Sequence, residues 1–266
     1  MPSPAPGPAA AGRALAAIAV LCVCLPLRGH AAAPGTEPGF TIVPYGWLAG
    51  LDGTVGAPGD GLDDGSGNPL DRIDVTLDPD YELKGFMFYA EWRGERWMAF
   101  IDSVWANFRQ GGTIKLLGVL PGSNADAEVD GNIVTGGIGF RVMQTEDSAL
   151  VVFGGARYYD LEVSVTAGGS MLPWSFSSSA DDAWTHGLVG AKWNHRLGED
   201  WQTFVEGDYA FGGSGSSWGL TATLGYNFSW GRLFGGWRHM AVDQEKTSYL
   251  LDVSLTGPML GLAFDF

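Results

Sequence analysis

Trp184-Thr185-His186-Gly187-Leu188-Val189-Gly190-Ala191-Lys192-Trp193-Asn194-His195-Arg196-Leu197 alternates in polarity. One parity carries His186, Gly190, Lys192, Asn194 and Arg196, and the other carries Val189, Ala191, Trp193 and Leu197. A period of two predicts a strand with one polar and one apolar face, because successive side chains leave a strand on opposite sides. The same pattern surrounds it. Gln202, Glu206 and Asp208 oppose Val205, Tyr209 and Phe211, and Thr221, Thr223 and Asn227 oppose Leu220, Ala222, Leu224, Tyr226 and Phe228. Further upstream, Glu91 opposes Phe86, Phe88, Ala90 and Trp92, Asp102 opposes Ala99, Ile101 and Trp105, and Arg141 opposes Val134, Ile138 and Phe140.

Carried along the chain, this reading places strands near 39–51, 84–93, 96–108, 130–143, 148–163, 183–197, 201–211, 216–229, 231–243 and 248–266. Their connections alternate in length. Gly94-Glu95, Thr145-Glu146-Asp147, Gly198-Glu199-Asp200 and Trp230-Gly231 are tight, whereas 52–83, 109–129 and 164–182 are long. Short turns at one end and long loops at the other characterise bacterial membrane barrels. The expected fold is therefore all-β, a single antiparallel transmembrane barrel of about ten strands, with eight as the alternative, short periplasmic turns and long extracellular loops.

A soluble sandwich also alternates, so the direction of the apolar face needs its own argument. The tryptophans supply it. Trp92, Trp97, Trp193, Trp201 and Trp230 lie beside the short turns, and Trp47, Trp105, Trp184 and Trp218 lie toward the long loops. Two aromatic girdles at membrane interfaces account for that spacing, whereas a sandwich core would gather its bulk in mid-strand. The polar face then lines a lumen. At mid-depth it carries the acids Glu91, Asp102, Glu206 and Asp208 and the bases Arg141, Arg157, Lys192 and Arg238. The signs balance, which points to mutual neutralisation, because a strongly selective pore would carry a ring of one sign. Phe100, Phe153 and Phe234 share the lumenal parity and add bulk to an interior narrow enough for side chains to fill.

Two strands break parity. In 148–163, Arg157 points one way and Asp160 and Glu162 the other, which puts Asp160 above the membrane. In the last strand Asp252, Ser254 and Thr256 share parity with Leu260, Leu262 and Phe264, and a bulge at Gly257-Pro258 would reconcile them.

The composition agrees with an exported barrel. Charged residues are only 17% of the chain, and the 41 glycines follow no triplet period. The apolar fraction of 45% is too high for a disordered chain. At the N-terminus, Arg13 precedes the apolar run Ala14 to Leu27, and Gly29-His30-Ala31 offers a cleavage site before Ala32 and Ala33. Residues 1–31 are expected to be a secretory signal peptide, 32–38 a short periplasmic segment and 39–266 the barrel. The run is too short for a transmembrane anchor of about 20 residues. Cys22 and Cys24 both lie in this leader, so thiol catalysis, thiolate metal sites and disulfides are excluded from the mature chain. Loss of Arg13 and Arg28 makes the formal charge of −15 still more negative, which argues against nucleic acid as a partner.

The final residues, Gly261-Leu262-Ala263-Phe264-Asp265-Phe266, resemble the C-terminal assembly signal of Gram-negative outer-membrane barrels, with Gly261, Phe264 and Phe266 as its marks. Pro44-Tyr45-Gly46-Trp47, Gly155-Ala156-Arg157-Tyr158-Tyr159-Asp160-Leu161 and Leu255-Thr256-Gly257-Pro258-Met259-Leu260-Gly261 look like recurring segments of a family of small, uncharacterised proteobacterial outer-membrane β-barrel proteins. The resemblance implies export through the Sec pathway and an outer-membrane location. Its partners would be outer-membrane lipid and lipopolysaccharide, and periplasmic chaperones and the barrel-assembly machinery during biogenesis. It brings no activity and no ligand with it.

Signals for chemistry are sparse. Gly59-Asp60-Gly61-Leu62-Asp63-Asp64-Gly65 superficially resembles a calcium loop, but Leu62 stands where an EF-hand needs Asp or Asn. The 52–83 loop reads as a solvated acidic segment that repels anions and meets divalent cations held by lipopolysaccharide. His186 near Asp181 and Asp182 is the one pairing that could serve a hydrolase, yet no GxSxG or HExxH accompanies it. No metal, cofactor or catalytic residue is expected. The leading expectation is a structural or surface-interaction barrel with a plugged, charge-balanced lumen. A narrow channel for small solutes is the first alternative, and a hydrolase using His186 the second.

Overall fold

The computed structural model describes residues 37–56, 73–77, 83–112, 124–168, 176–213, 215–246 and 249–266. The expected signal peptide and most of the acidic loop, including Asp60, Asp63, Asp64, Asp71, Asp78, Asp80 and Glu82, lie outside them. Among the described residues every regular element is a strand. They are β1 (Gly39–Trp47), β2 (Gly50–Gly56), β3 (Ile73–Leu77), β4 (Leu83–Arg93), β5 (Trp97–Gly112), β6 (Asn124–Gln144), β7 (Ser148–Gly168), β8 (Phe176–Leu197), β9 (Trp201–Gly212), β10 (Gly215–Phe228), β11 (Gly231–Lys246) and β12 (Tyr249–Asp265).

Each strand from β4 to β12 pairs antiparallel with the next, and β1 pairs with both β4 and β12, which closes the sheet into a ten-strand barrel. Closure runs through Thr41 opposite Asp265, Tyr45 opposite Gly261 and Trp47 opposite Met259. β2 continues β1 along β12 in the same register, with Gly50 opposite Thr256, and β3 folds back on β2 with Leu51 opposite Leu77. Apart from Gly50 and Leu51, which fall in the expected first strand, this β2–β3 hairpin lies in the 52–83 segment expected to be an acidic loop. At the turn end the strand bounds follow the alternation closely, whereas at the other end β5, β6, β7 and β8 run four to seven residues beyond the expected bounds, to Gly112, Asn124, Gly168 and Phe176. At the turn end, Gly94 N donates to Trp97 O at 2.7 Å and Thr145 N to Ser148 O at 2.8 Å. Gly198 turns the chain with φ +77°, a left-handed conformation that glycine adopts without a Cβ clash.

The bulge expected at Gly257-Pro258 is not there. β12 keeps one register against β11 from Lys246 opposite Tyr249 to Arg232 opposite Ala263. Proline expresses itself on the other neighbour. Leu48 N donates to Pro258 O at 2.9 Å, but Pro258 has no N–H to return, and the chain interrupts its strand at Leu48-Ala49. Gly257 allows the close approach, since a Cβ there would collide with the Leu48 carbonyl. The irregularity in the wall lies instead between Arg141 and Met143, where β6 slips against β7.

The two faces of the wall divide the side chains. Trp92, Trp97, Trp193, Trp201 and Trp230 project outward and exposed at the turn end, and Trp105 and Trp218 at the other. Between them the outer surface presents Ile101, Ile138, Val152, Val189, Leu224, Leu233 and Leu260. Such an exposed apolar belt between aromatic rims is what a bilayer covers in a spanning barrel.

Trp47 and Trp184 do not belong to the girdle. Trp47 is 0% exposed and faces the interior, packed with Met87, Met240 and Met259, while Trp184 stacks on the interior Tyr159 with centroids 4.9 Å apart. Both carry the lumenal parity of their strands. Position along the strand alone does not separate a tryptophan on the outer rim from one inside it. Exposed Tyr158, Tyr209, Phe211 and Trp237 add to the outward aromatics.

The polarity of the wall also inverts toward the end opposite the Gly94 and Gly198 turns. There Asp160, Glu162, Asp243 and Asp252 stand exposed on the outer face, and Val242, Leu251, Val253 and Leu255 are buried on the inner one. Water, not lipid, must surround the barrel at that height, because exposed carboxylates do not tolerate hydrocarbon. The parity break in β12 is this inversion. It needs no bulge, because the strand simply leaves the membrane.

Candidate functional site

At mid-depth the interior is crossed by cations anchored on strands remote from their partners. Arg238 on β11 reaches Asp102 on β5, with β12, β1 and β4 lying between them in the strand order, and its Nη2 stands 2.8 Å from Asp102 Oδ2. The Tyr45 hydroxyl joins both, donating to Asp102 Oδ1 at 2.6 Å and accepting from Arg238 Nη1 at 2.7 Å. The guanidinium also lies 5.0 Å from the Trp47 ring centroid, which ties the buried tryptophan to the ionic layer.

A second cluster repeats this design. Lys192 on β8 projects across to β4, where the Tyr89 hydroxyl accepts from its Nζ at 2.8 Å and donates to Glu91. Glu91 Oε2 lies 3.9 Å from Nζ, and Glu206, the cross-strand neighbour of Lys192 on β9, lies 3.3 Å away. Lys192 is 1% exposed. In the third cluster Arg157 on β7 passes β8 to reach Asp208 on β9 at 2.9 Å, and its Nε donates to Thr135 Oγ1, also at 2.9 Å. Ser217 accepts from Arg157 Nη1 at 3.5 Å and is hydrogen-bonded to Tyr159.

These charges can be held away from bulk water because each cation has an opposite charge and a hydroxyl within reach. Burial costs several kcal/mol per ion and is offset only by such geometry. The rings beside them are seated on glycine. Phe100 stands opposite Gly137, Phe153 opposite Gly190, and Phe234 lies between Gly225 and Gly261. A Cβ at Gly137 would come 2.8 Å from Phe100 Cε1, and one at Gly261 would come 2.5 Å from Phe234 Cζ. Gly137, Gly190, Gly225 and Gly261 thus serve as flat seats for lumenal rings.

Seven of the eight charges read from the sequence are brought together here, as three separate clusters and not as one network. Arg141 stands apart. It lies at the turn end, where its Nη1 donates to Glu95 O at 2.7 Å and to Gln144 Oε1 at 3.0 Å. Alternation gave its side of the sheet but not its depth. A further layer at that end was not anticipated. Arg93 meets Asp265 at 3.0 Å and Glu91 at 3.3 Å and also donates to Thr41, and Arg232 donates to Gln202 Oε1 at 2.6 Å. Tyr45 and Tyr89 were also missed, although each shares parity with lumenal residues on its strand.

The C-terminal residues fasten the seam. Phe266 N donates to Phe40 O at 2.8 Å and Phe40 N to Phe266 O at 3.0 Å. Gly261 seats Phe234, Phe264 packs near Trp230 with centroids 6.2 Å apart, and Phe266 is exposed.

Among the described residues His186 is hydrogen-bonded to an amide side chain, that of Gln244. It is buried in the interior, its Nε2 lies 3.1 Å from Gln244 Oε1, and its Nδ1 has no hydrogen-bond partner among the described residues. His195 and His239 lie on the outer wall. Each bonds a hydroxyl on the adjacent strand, Ser148 and Thr256 respectively, and packs against a girdle tryptophan, Trp193 or Trp218. Among the described residues no group of three or more acids, histidines or cysteines is placed to hold a metal.

No protein-family model and no curated protein matches the sequence. Among solved structures the chain is similar to Ail, the attachment invasion locus protein of Yersinia pestis, at 18% identity and TM-score 0.35, covering 86% of this chain and 100% of that one. It is also similar to the translocator domain of the autotransporter NalP from Neisseria meningitidis, at 15% identity and TM-score 0.41, covering 88% and 90%. A third is the outer membrane protein AlkL, at 12% identity and TM-score 0.37, covering 92% and 96%.

Proposed function

We propose that the protein is an outer-membrane scaffold or surface-interaction barrel whose lumen is closed at mid-depth by its own side chains. The observation that carries this reading is the crossing of the interior by Arg238 to Asp102 and by Lys192 to Glu91, each between strands that are not neighbours. A group spanning from wall to wall and neutralised there leaves neither a ring of one sign nor an open axis. The turn end faces the periplasm and the long-loop end, with its acidic outer surface, faces the exterior. Residues 1–31 are removed on export and the final Phe266 takes part in assembly. The test is conductance: the refolded mature chain in a planar bilayer is expected to pass no steady ionic current.

A narrow channel for small solutes is the second reading. It is favoured by the β9–β10 side of the lumen, where the Glu206 side chain keeps 19% of its surface accessible and Thr221 and Thr223 are only half-buried. A steady single-channel current in the wild-type chain would select it over the scaffold.

A further inference from the structure

The lysine that crosses the lumen ends in a cage that is more than a salt bridge. Lys192 Nζ lies 3.4 Å from the centroid of Phe100, 4.7 Å from that of Tyr89 and 5.2 Å from that of Phe153. Glu206 and Glu91 add two carboxylates at 3.3 and 3.9 Å. Ring faces attract a cation through their quadrupole, and several faces with an acid nearby form the usual receptor for alkylated ammonium.

No ring or carboxylate of the cage comes from the strand that fills it. The walls come from β4, β5, β7 and β9, whereas the cation comes from β8. The rings are fixed in place: Phe100 and Phe153 rest on Gly137 and Gly190 and meet edge to face at 5.1 Å, and Tyr89 stacks on Phe100 at 6.1 Å. Only the occupant hangs on a flexible four-carbon stem. A preorganised receptor whose occupant is tethered by a flexible stem is an arrangement for competition, because a free cation need only match the lysine head and not assemble the site.

We propose that the lumen carries a binding site for a small organic ammonium, of which Lys192 is the tethered occupant, and that an amine entering the barrel displaces it. When displaced, Lys192 keeps Glu206, its direct cross-strand neighbour, while the ligand takes the rings and Glu91. The site goes beyond the closed-lumen reading. A conducting wild-type barrel would overturn closure and leave the cage standing.

The experiment uses refolded wild-type protein with carbon-labelled lysine, the Lys192 signal being the one absent from Lys192→Met. Three ring faces hold that signal at a ring-current-shifted position. Titration with tetramethylammonium is expected to move it saturably toward the position of an exposed lysine, while tert-butanol, uncharged and of similar bulk, leaves it in place. Phe100→Leu should weaken the effect at least about tenfold, or 1.4 kcal/mol. In Lys192→Ala, propylammonium should raise the urea midpoint and propanol should not. A Lys192 signal that ignores tetramethylammonium in folded wild type, or responds equally to the alcohol, overturns the proposal whether or not the alanine variant folds.

Discussion

Arg157 Nη2 lies 2.9 Å from Asp208 Oδ1 although β8 separates their strands, and the two side chains are 2% and 6% exposed. A pair so enclosed is worth less than its Coulomb attraction, but each half is costly without the other.

Arg157→Met should therefore cost about 3 to 5 kcal/mol by stranding Asp208, and adding Asp208→Asn should recover part of the loss. Urea midpoints of the refolded barrel give the order. Equal midpoints for wild type, single and double variants would mean that water solvates both charges.

The glycine seats make a contrast between two faces of β7 and β8. Gly190→Ala drives a methyl into the Phe153 ring and should cost about 1 to 3 kcal/mol, as overpacking does. Gly154→Ala points outward, where the nearest atom to its Cβ is the Leu188 carbonyl at 3.5 Å, and should leave the midpoint unchanged. Heat-modified gel mobility reads both.

Trp47 and Trp97 should separate by quenching. Brominated lipid reaches the outward Trp97 and not the interior Trp47, so Trp97→Phe lowers the quenchable fluorescence and Trp47→Phe does not. Trp47→Ala should also destabilise by about 3 to 5 kcal/mol, the usual cost of a large aromatic lost from a core. Loss of quenching in Trp47→Phe would place that ring in the girdle after all.

The strand pattern was readable because a barrel wall is half lipid-facing and half lumenal wherever it spans the membrane, so each strand repeats the same binary code there. Asp102, Lys192, Glu206 and Arg238 took their side from it directly. Height is what alternation leaves out. Arg141 has the parity of a mid-lumen charge but sits at the turn, and Trp184 has the spacing of a girdle residue but the parity of the interior. Polarity also changes meaning outside the bilayer. Asp252 and Leu260 share the outer face of β12, which is coherent once the strand is seen to pass from lipid into water. The hairpin of β2 and β3 was hidden by the Asp and Gly content around it; β2 is held by its register on β12, and β3 by its pairing with β2.

Deleting Phe266 should reduce outer-membrane levels more than removing acidic residues from 57–72. The deletion cuts both bonds to Phe40 at the closing seam, whereas loop length changes closure entropy slowly. Equal levels of the two variants, measured by surface accessibility in intact cells, would count against a role for the terminal residue.

Single-channel recording of the refolded mature chain decides whether side chains close the lumen. A closed barrel gives no steady current in wild type, and Lys192→Ala combined with Arg238→Ala, which removes both crossing cations, gives discrete openings. A steady wild-type conductance that the double variant leaves unchanged would mean that the lumen is open past both cations.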